Sequence, residues 1–177
     1  MVSIKRLKSL CLALLLLPGL AFAQTRTAAN PAASAYVAPT FRLTQAAALE
    51  LAVRARAKAA TLNQQVSVAV VDASGQTILL AQGDGVGPHN TEAARRKAFT
   101  ALSTKTPTLL LGRRARTNPD TQNLANLPEL LLLGGGVPLR FQGQVIGAIG
   151  ISGGGGAEND DLIGHAASLP EAGITTT

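Results

Sequence analysis

The apolar and polar positions of the chain follow a helical period over residues 44–60 and a strand period directly after it. Thr44 is placed to cap the helix, because its hydroxyl can accept a backbone hydrogen bond from the first turn. The apolar residues that recur every three or four positions, and so predict its buried face, are Ala46, Leu49, Val53, Ala57 and Ala60. The β-branched run 66–71 then predicts a buried strand, and 76–81 its hairpin partner after a turn at 72–75.

The second half of the chain predicts a further helix, three short strands and a last helix. Asn90 or Thr91 is expected to cap the helix, and Pro107 to start a short helical turn. The apolar face of this helix is predicted at Ala94, Ala98, Ala101 and Leu102. The strands are predicted at 130–133, 138–141 and 144–151, with glycines 147 and 150 marking the close approach of a backbone or a ligand. The element order αββαβββα, with short connections, predicts an α+β fold in which helices flank a five-stranded antiparallel sheet.

The first 23 residues have the pattern of a secretory signal peptide. A basic start at 5–8 precedes the apolar run 10–17, and small residues at Ala21 and Ala23 predict cleavage after Ala23. The apolar run is too short to span a membrane. We therefore expect export to the periplasm or the exterior, no membrane span after cleavage, a flexible arm at 24–42 and a single domain at 43–177.

Composition limits the classes of partner. The net charge of +6 includes three basic residues of the signal peptide, so that cleavage halves it and weakens the case for nucleic acid. The only cysteine, Cys11, leaves with the signal, and the exported chain can form no disulfide of its own. Core burial, together with self-association, is expected to supply the stability.

Two glycine motifs have simpler explanations than catalysis. Residues 150–154 match the G-x-S-x-G nucleophile elbow around Ser152, but His165 follows too soon for the large parallel sheet that an elbow requires. The glycine runs at 134–136 and 153–156 lack a following Lys-Ser/Thr pair, and acidic residues open the last helix, which disfavours a phosphate. A strand exit and hairpin turns account for these glycines.

The side chains with binding chemistry lie around the start of the second helix. A helix N-terminus disfavours the imidazolium form, so that His89 is expected to be neutral and able to ligate a metal; the alternative is a loop histidine without a role. Arg95, Arg96 and Lys97 are either a solvated basic face or a clamp for carboxylates.

Three stretches carry a resemblance to a known family: VSVAVVDASGQTILLAQGDG, EAARRKAFTALSTKTPT and LLLLGGGVPLRFQGQVIGAIGISGGGGAENDD. They resemble the GlcG/HbpS-like heme-binding family over about residues 43–174, and the most specific parts are K-A-F-T at 97–100 and the GGGVPL and VIGAIG block. The resemblance implies an antiparallel sheet flanked by helices and assembly into homo-oligomers. Members include secreted heme binders linked to redox sensing or heme breakdown, and domains attached to corrinoid enzymes.

Heme is the cofactor that this resemblance implies, and the residue types then limit how it could be held. Axial ligands are usually His, Cys, Met or Tyr, which leaves His89, His165 and Tyr36 once Met1 and Cys11 are removed. His89 is the predicted metal ligand, with Thr91 as a weaker oxygen ligand. Arg95, Arg96 and Lys97 are expected to meet the propionates.

The sequence therefore predicts a secreted protein that binds heme or a related tetrapyrrole for storage, scavenging or sensing. Two alternatives stay open. One is an enzyme that degrades heme oxidatively in the same pocket, and the other is an accessory subunit without a cofactor that partners an envelope sensor or enzyme.

Overall fold

The computed structural model describes residues 36–176, and the predicted signal peptide and most of the predicted arm lie outside them. The helices are α1 (Gln45–Ala60), α2 (His89–Thr104), α3 (Thr108–Thr117), α4 (Pro119–Gln122) and α5 (Ala157–Ala166). The strands are β1 (Ser67–Asp72), β2 (Thr77–Ala81), β3 (Gly136–Phe141), β4 (Gln144–Ser152) and β5 (Ile174–Thr176). Short 3₁₀ turns cover Asn123–Asn126 and Pro170–Ala172.

The five strands form one antiparallel sheet in the order β2-β1-β4-β3-β5. In the centre, Val70 of β1 pairs with Ile149 of β4, and Val137 of β3 pairs with Ile149 from the other side. The α+β class and the five-stranded antiparallel sheet with flanking helices are confirmed. No helix among residues 36–176 has the length and apolar character that a membrane crossing requires.

A separate apolar layer covers each face of the sheet. On one face α1 and α5 pack against alternate residues of β1, β3 and β4, with Leu51, Leu139 and Ile163 fully buried. On the other face the alanines of α2 pack against Ala69, Val71 and Ala148. The helix α2 lies close to the sheet because it meets glycines there: a Cβ on Gly150 would lie 1.9 Å from the carbonyl oxygen of Ala94. The predicted close approach at Gly150 is therefore confirmed.

The predicted buried face of α1 was wrong. All five of its residues are exposed, and the helix instead buries Ala48, Leu51, Ala52, Ala55 and Ala59. Alanine and leucine occur on both sides of this helix, so that apolar periodicity alone cannot select the side that faces the sheet.

Three local predictions also differ from the structure. Residues 130–133 form no strand: the backbone N–H of Leu131 donates to the Thr100 hydroxyl on α2 (2.8 Å) instead of to a neighbouring strand. The fifth strand is β5, whose three residues pair with β3 at the sheet edge. The helix α2 begins at His89, ahead of the two predicted caps, and no side chain caps it.

Candidate functional site

The N-terminus of α2 gathers the residues that sequence analysis selected. The loop 83–88 leads from β2 into this helix, and Pro88, with φ −59°, has the backbone geometry that suits a helix start. Glu92 lies in the first turn, where the positive end of the helix dipole stabilises its carboxylate. The first turn of α2 is therefore exposed and has a defined backbone geometry.

His89 is the first residue of α2, and its side chain is exposed. The ring lies against Gly87: a Cβ built on that glycine would be 3.2 Å from His89 Cε1 and 3.3 Å from Nδ1. Gly87 therefore leaves the space in which the imidazole ring rests. The position of His89 gives a ligand in solvent direct access to the side chain.

The next two residues connect this opening to the interior. The side chain of Asn90 donates to Gly87 O (3.1 Å) and accepts from the Ser152 hydroxyl (2.8 Å). The hydroxyl of Thr91 lies 3.3 Å from that of Ser67 on β1. Thr91 is therefore engaged with the sheet, while the Asn90 contacts hold the loop against the end of β4.

Arg95 and Arg96 lie on the partly exposed side of α2 and differ in their contacts. Arg95 donates to Glu92 (2.8 and 2.9 Å) and to Glu129 (3.2 Å), and hydrogen bonding to Glu92 is the main reason that its pKa is raised. Arg96 donates to the carbonyl of Leu130 (2.7 Å), while its buried Nε has no hydrogen-bond partner among the described residues. His89 and Arg96 are two helical turns apart on one side of α2, about 10 Å along the axis.

Lys97 is in the interior, which the sequence analysis did not foresee. Its side chain has no exposed surface, and Nζ donates to Asp160 (2.7 Å), to Ile151 O (2.9 Å) and to the Ser152 hydroxyl (3.3 Å). Burial lowers the pKa of Lys97, and the adjacent Asp160 carboxylate opposes that shift. All three donors of the ammonium group are used inside the protein, so that Lys97 has none left for a propionate.

The Lys97–Asp160 pair explains two glycines of the run 134–136, Gly135 and Gly136. A Cβ on Gly135 would lie 2.7 Å from the Asp160 Cβ and 3.3 Å from Lys97 Nζ, and one on Gly136 would lie 2.2 Å from Lys97 O. These glycines make room for α2 and for its buried ion pair, and they are not the hairpin turn that the sequence suggested. One sequence signal existed: Lys97 interrupts the alanine face of α2.

Ser152 and His165 both make contacts within the fold that explain their positions. Ser152 is buried, and its hydroxyl lies between Asn90 and Lys97. His165 is half-buried on α5, with Nε2 3.6 Å from Asp161, a carboxyl group whose pKa is raised by burial. These contacts agree with the interpretation of 150–154 as a strand exit.

The clearest cavities of the described chain lie away from His89. One of about 450 Å³ is formed between the β1–β2 turn and the end of α2, with Phe99 and Leu102 in its wall. An apolar cavity of about 230 Å³ is lined by Phe41, Phe141 and Ile146, and a third of about 310 Å³ includes Arg42 and Ser74. His89 lines none of these three cavities. Residues 36–176 also contain no group of three or more His, Cys, Asp or Glu side chains that could hold a metal ion without a porphyrin.

Comparison with known proteins places this arrangement in a family. A family model described as "Haem degrading protein HbpS-like" matches residues 43–168. An uncharacterized 15.0 kDa protein of Citrobacter freundii is 32% identical over 127 residues, which are 71% of this chain and 89% of that protein. Protein GlcG of Escherichia coli K12 is 34% identical over 90 residues, 51% of this chain and 66% of GlcG.

Two solved structures share the fold. A double mutant of Streptomyces reticuli HbpS superposes with a TM-score of 0.69 at 36% identity, covering 75% of this chain and 88% of that one. The PduOC:heme complex superposes with a TM-score of 0.65 at 28% identity, covering 77% of this chain and 98% of the other. From the family match over most of its length, together with these structures, we conclude that the chain belongs to the HbpS-like family.

Proposed function

We propose that the protein binds heme at the N-terminus of α2, with His89 as the iron ligand. The observation that supports this most directly is the exposed imidazole of His89 at the opening of a helix. A neutral imidazole is a common axial ligand of heme iron. The heme complex of PduOC, a protein of the same fold, supports the choice of ligand class.

The proposed site would supply one protein ligand, a surface for the porphyrin and cations for its carboxylates. Thr91 is a less suitable ligand because its hydroxyl already contacts Ser67. Arg96 is the better placed cation, since it lies on the same side of α2 as His89, about 10 Å along the helix axis. We leave Lys97 out of the proposed site and assign it to the interior.

Hemin titration of the purified protein tests the iron ligand. We expect His89→Ala to shift the Soret maximum and to weaken binding at least tenfold, which corresponds to about 1.4 kcal/mol. His165→Ala is the matched control, because it removes the other histidine from a half-buried position. If His89→Ala and His165→Ala both titrate like the unchanged protein, His89 is not the ligand.

A second experiment tests whether Arg95 also meets a propionate, as the sequence predicts. Its guanidinium is shared by Glu92 and Glu129, both largely exposed, and such exposed pairs contribute only about 0–1 kcal/mol each. Glu129→Gln should therefore free Arg95 for a propionate and tighten hemin binding by about two- to fivefold, which is within that range of energy.

The control for charge is Glu171→Gln, which removes an exposed carboxylate from the Arg54 pair on α1. It changes the net charge by the same amount and should leave hemin affinity unchanged. Equal effects of the two variants would mean that net charge, and not Arg95, determines the change.

Oxidative breakdown of bound heme is a second candidate function, and the description of the matching family favours it. Breakdown needs dioxygen and a reductant, so that the test is to add ascorbate to the heme complex in air. A Soret band that decays while iron is released would indicate an enzyme. A stable band would indicate storage, scavenging or sensing.

We propose that the protein acts after export, on the strength of the signal pattern at residues 1–23. Mass spectrometry of the protein recovered from an expressing bacterium tests this. An N-terminus at Gln24 is expected, and a retained Met1 would contradict it.

A further inference from the structure

A cavity of about 450 Å³ lies at the opposite end of α2 from His89, between the β1–β2 turn and the last turns of the helix. The 16 residues of α2 span about 24 Å, so that this cavity is separate from the proposed heme site. Its volume falls within the range of pockets that hold small organic ligands. The end of α2 is therefore a candidate for a second binding site.

One wall of this cavity is apolar and held in place. Phe99 and Leu102 of α2, both half-buried, and Val145 of β4 line it. The Phe99 ring lies against Gly75 of the turn, where an added Cβ would be 3.1 Å from Phe99 Cε2. Gly75 has a φ of +84°, which L side chains rarely adopt, so that glycine is favoured there and the space for the ring is kept. Such a wall suits the ring of an aromatic ligand.

Lys105 lies at the rim of the cavity in an unusual backbone conformation. It ends α2 with φ 52° and ψ 26°, in the left-handed region, where helices commonly place a glycine. A lysine at such a position is strained, and backbone strain of this kind is concentrated at functional sites. The neighbouring Ser103, also exposed and lining the cavity, adds a hydroxyl. Both side chains can donate hydrogen bonds to a carboxylate.

The fold itself does not use the Lys105 ammonium group. Other side chains reach the carbonyls at the end of α2: Arg140 donates to Lys105 O (3.5 Å), and the Thr106 hydroxyl donates to Thr104 O (2.9 Å). Within residues 36–176, Nζ of Lys105 makes no hydrogen bond or ion pair. The cation at the rim is therefore available to a ligand.

The carboxylate of the β1–β2 turn does not cancel this charge. Asp72 accepts from the backbone and hydroxyl of Ser74 (2.9 and 2.8 Å), from Gln76 N (3.0 Å) and from Arg42 (3.1 Å). Its charge is thus engaged inside the turn and paired with an arginine. None of the described residues that line the cavity is acidic. The opening complements an anion.

We propose that this cavity binds a small aromatic carboxylate. The ring would lie against Phe99 and Leu102, and the carboxylate would accept hydrogen bonds from Lys105 and Ser103. The proposal is independent of heme binding, because His89 lines no part of the cavity.

A matched pair of probes tests the ligand class. 1-Naphthylacetate has the apolar ring system and the carboxylate, whereas 1-naphthylacetamide has nearly the same shape without the charge. The chain contains no tryptophan, so that naphthyl fluorescence reports binding directly. We expect the acid to bind about fivefold more tightly than the amide, as one partly exposed charge pair allows. Equal affinity of the two probes, or binding of neither, would overturn the proposal.

Two substitutions of Lys105 test the cation. Lys105→Gln should bind acid and amide equally, whereas Lys58→Gln, which removes a lysine from the last turn of α1, should keep the fivefold difference. Lys105→Gly should also lose the difference and yet be at least as stable in urea, because glycine adopts the left-handed conformation without strain. A fivefold difference that persists in Lys105→Gln, or that is lost equally in Lys58→Gln, would exclude Lys105 as the anchor.

Filling the cavity tests its location. Ser103→Phe places a ring at an exposed position that lines the cavity, and it should weaken both probes at least tenfold in a variant that circular dichroism shows to be folded. His89→Ala should bind both probes like the unchanged protein, whatever its effect on hemin. Unchanged affinity in Ser103→Phe, or a loss in His89→Ala, would place the probes elsewhere and overturn the proposal.

Discussion

At the scale of single residues, the buried ion pair between Lys97 and Asp160 is the contact on which we expect the stability of the fold to depend most. The pair is 2.7 Å long, and the two side chains are 0% and 7% exposed. Lys97→Met should lower the free energy of unfolding by about 3–5 kcal/mol, because it leaves a buried carboxylate without its partner. Urea unfolding measures the change. The double variant Lys97→Met/Asp160→Leu removes both charges and should recover part of the loss, whereas a loss below about 1 kcal/mol in the single variant would contradict the role of the pair.

The same residue shows where sequence reasoning reaches its limit. The sequence could assign Lys97 to a basic cluster, because its neighbours Arg95 and Arg96 have the same charge. Its environment depends on Asp160, which is 63 positions away, and on the space that Gly135 and Gly136 leave. Periodicity reports which residues share a helix side, and it does not report which distant side chain completes a buried pair.

At the scale of elements, the contact between α2 and β4 depends on Gly150. Alanine in a strand is normally more stable than glycine by about 0.5–1 kcal/mol, but here the added Cβ would overlap the carbonyl of Ala94. We expect Gly150→Ala to destabilise the protein by about 3 kcal/mol, at the upper end for overpacking, in urea unfolding. A stabilised variant would show that α2 can move away from the sheet at little cost.

Gly87 gives the matched comparison at the other end of α2. The atoms nearest to its added Cβ belong to the His89 ring and the Asn90 amide, which are side chains that can move. Gly87→Ala should therefore change stability by less than about 0.5 kcal/mol. It should nevertheless alter hemin affinity, because the ring that we propose as ligand has to shift.

The elements also differ in how far the sequence predicted them. The strands β1 and β4 were predicted almost to the residue, because β-branched runs and turn glycines bound them. The run 130–133 is equally apolar but packs along α2, and β5 is too short to give a period. The orientation of α1 could not be derived, since its exposed face, with Leu49 and Val53, is as apolar as its buried face.

At the scale of the whole molecule, the sequence predicted the fold, whereas the ligand site at His89 stays a prediction. The family motifs at 97–100 and 134–150 lie where α2 crosses the sheet, so that they reflect packing that the whole family needs. His89 lies at the surface, where packing places few demands on the residue type. A ligand site at the surface is therefore best tested by how much the ligand stabilises the folded protein.

Ligand-linked stability provides that test. Hemin that binds only the folded state at a concentration 100 times its Kd should raise the free energy of unfolding by about 2.7 kcal/mol. For His89→Ala, with a tenfold weaker Kd at the same hemin concentration, the increase should fall to about 1.4 kcal/mol. Urea unfolding with and without hemin, at one protein concentration, measures both values.

Two variants separate the sites in this measurement. His165→Ala should keep the full increase, since its ring lies on α5 and is assigned no ligand role. Val53→Glu should also keep it, because Val53 is exposed on α1 and is not part of the proposed heme site. If Val53→Glu instead removed the increase, the exposed face of α1 would take part in hemin binding, and the site would not be confined to the N-terminus of α2.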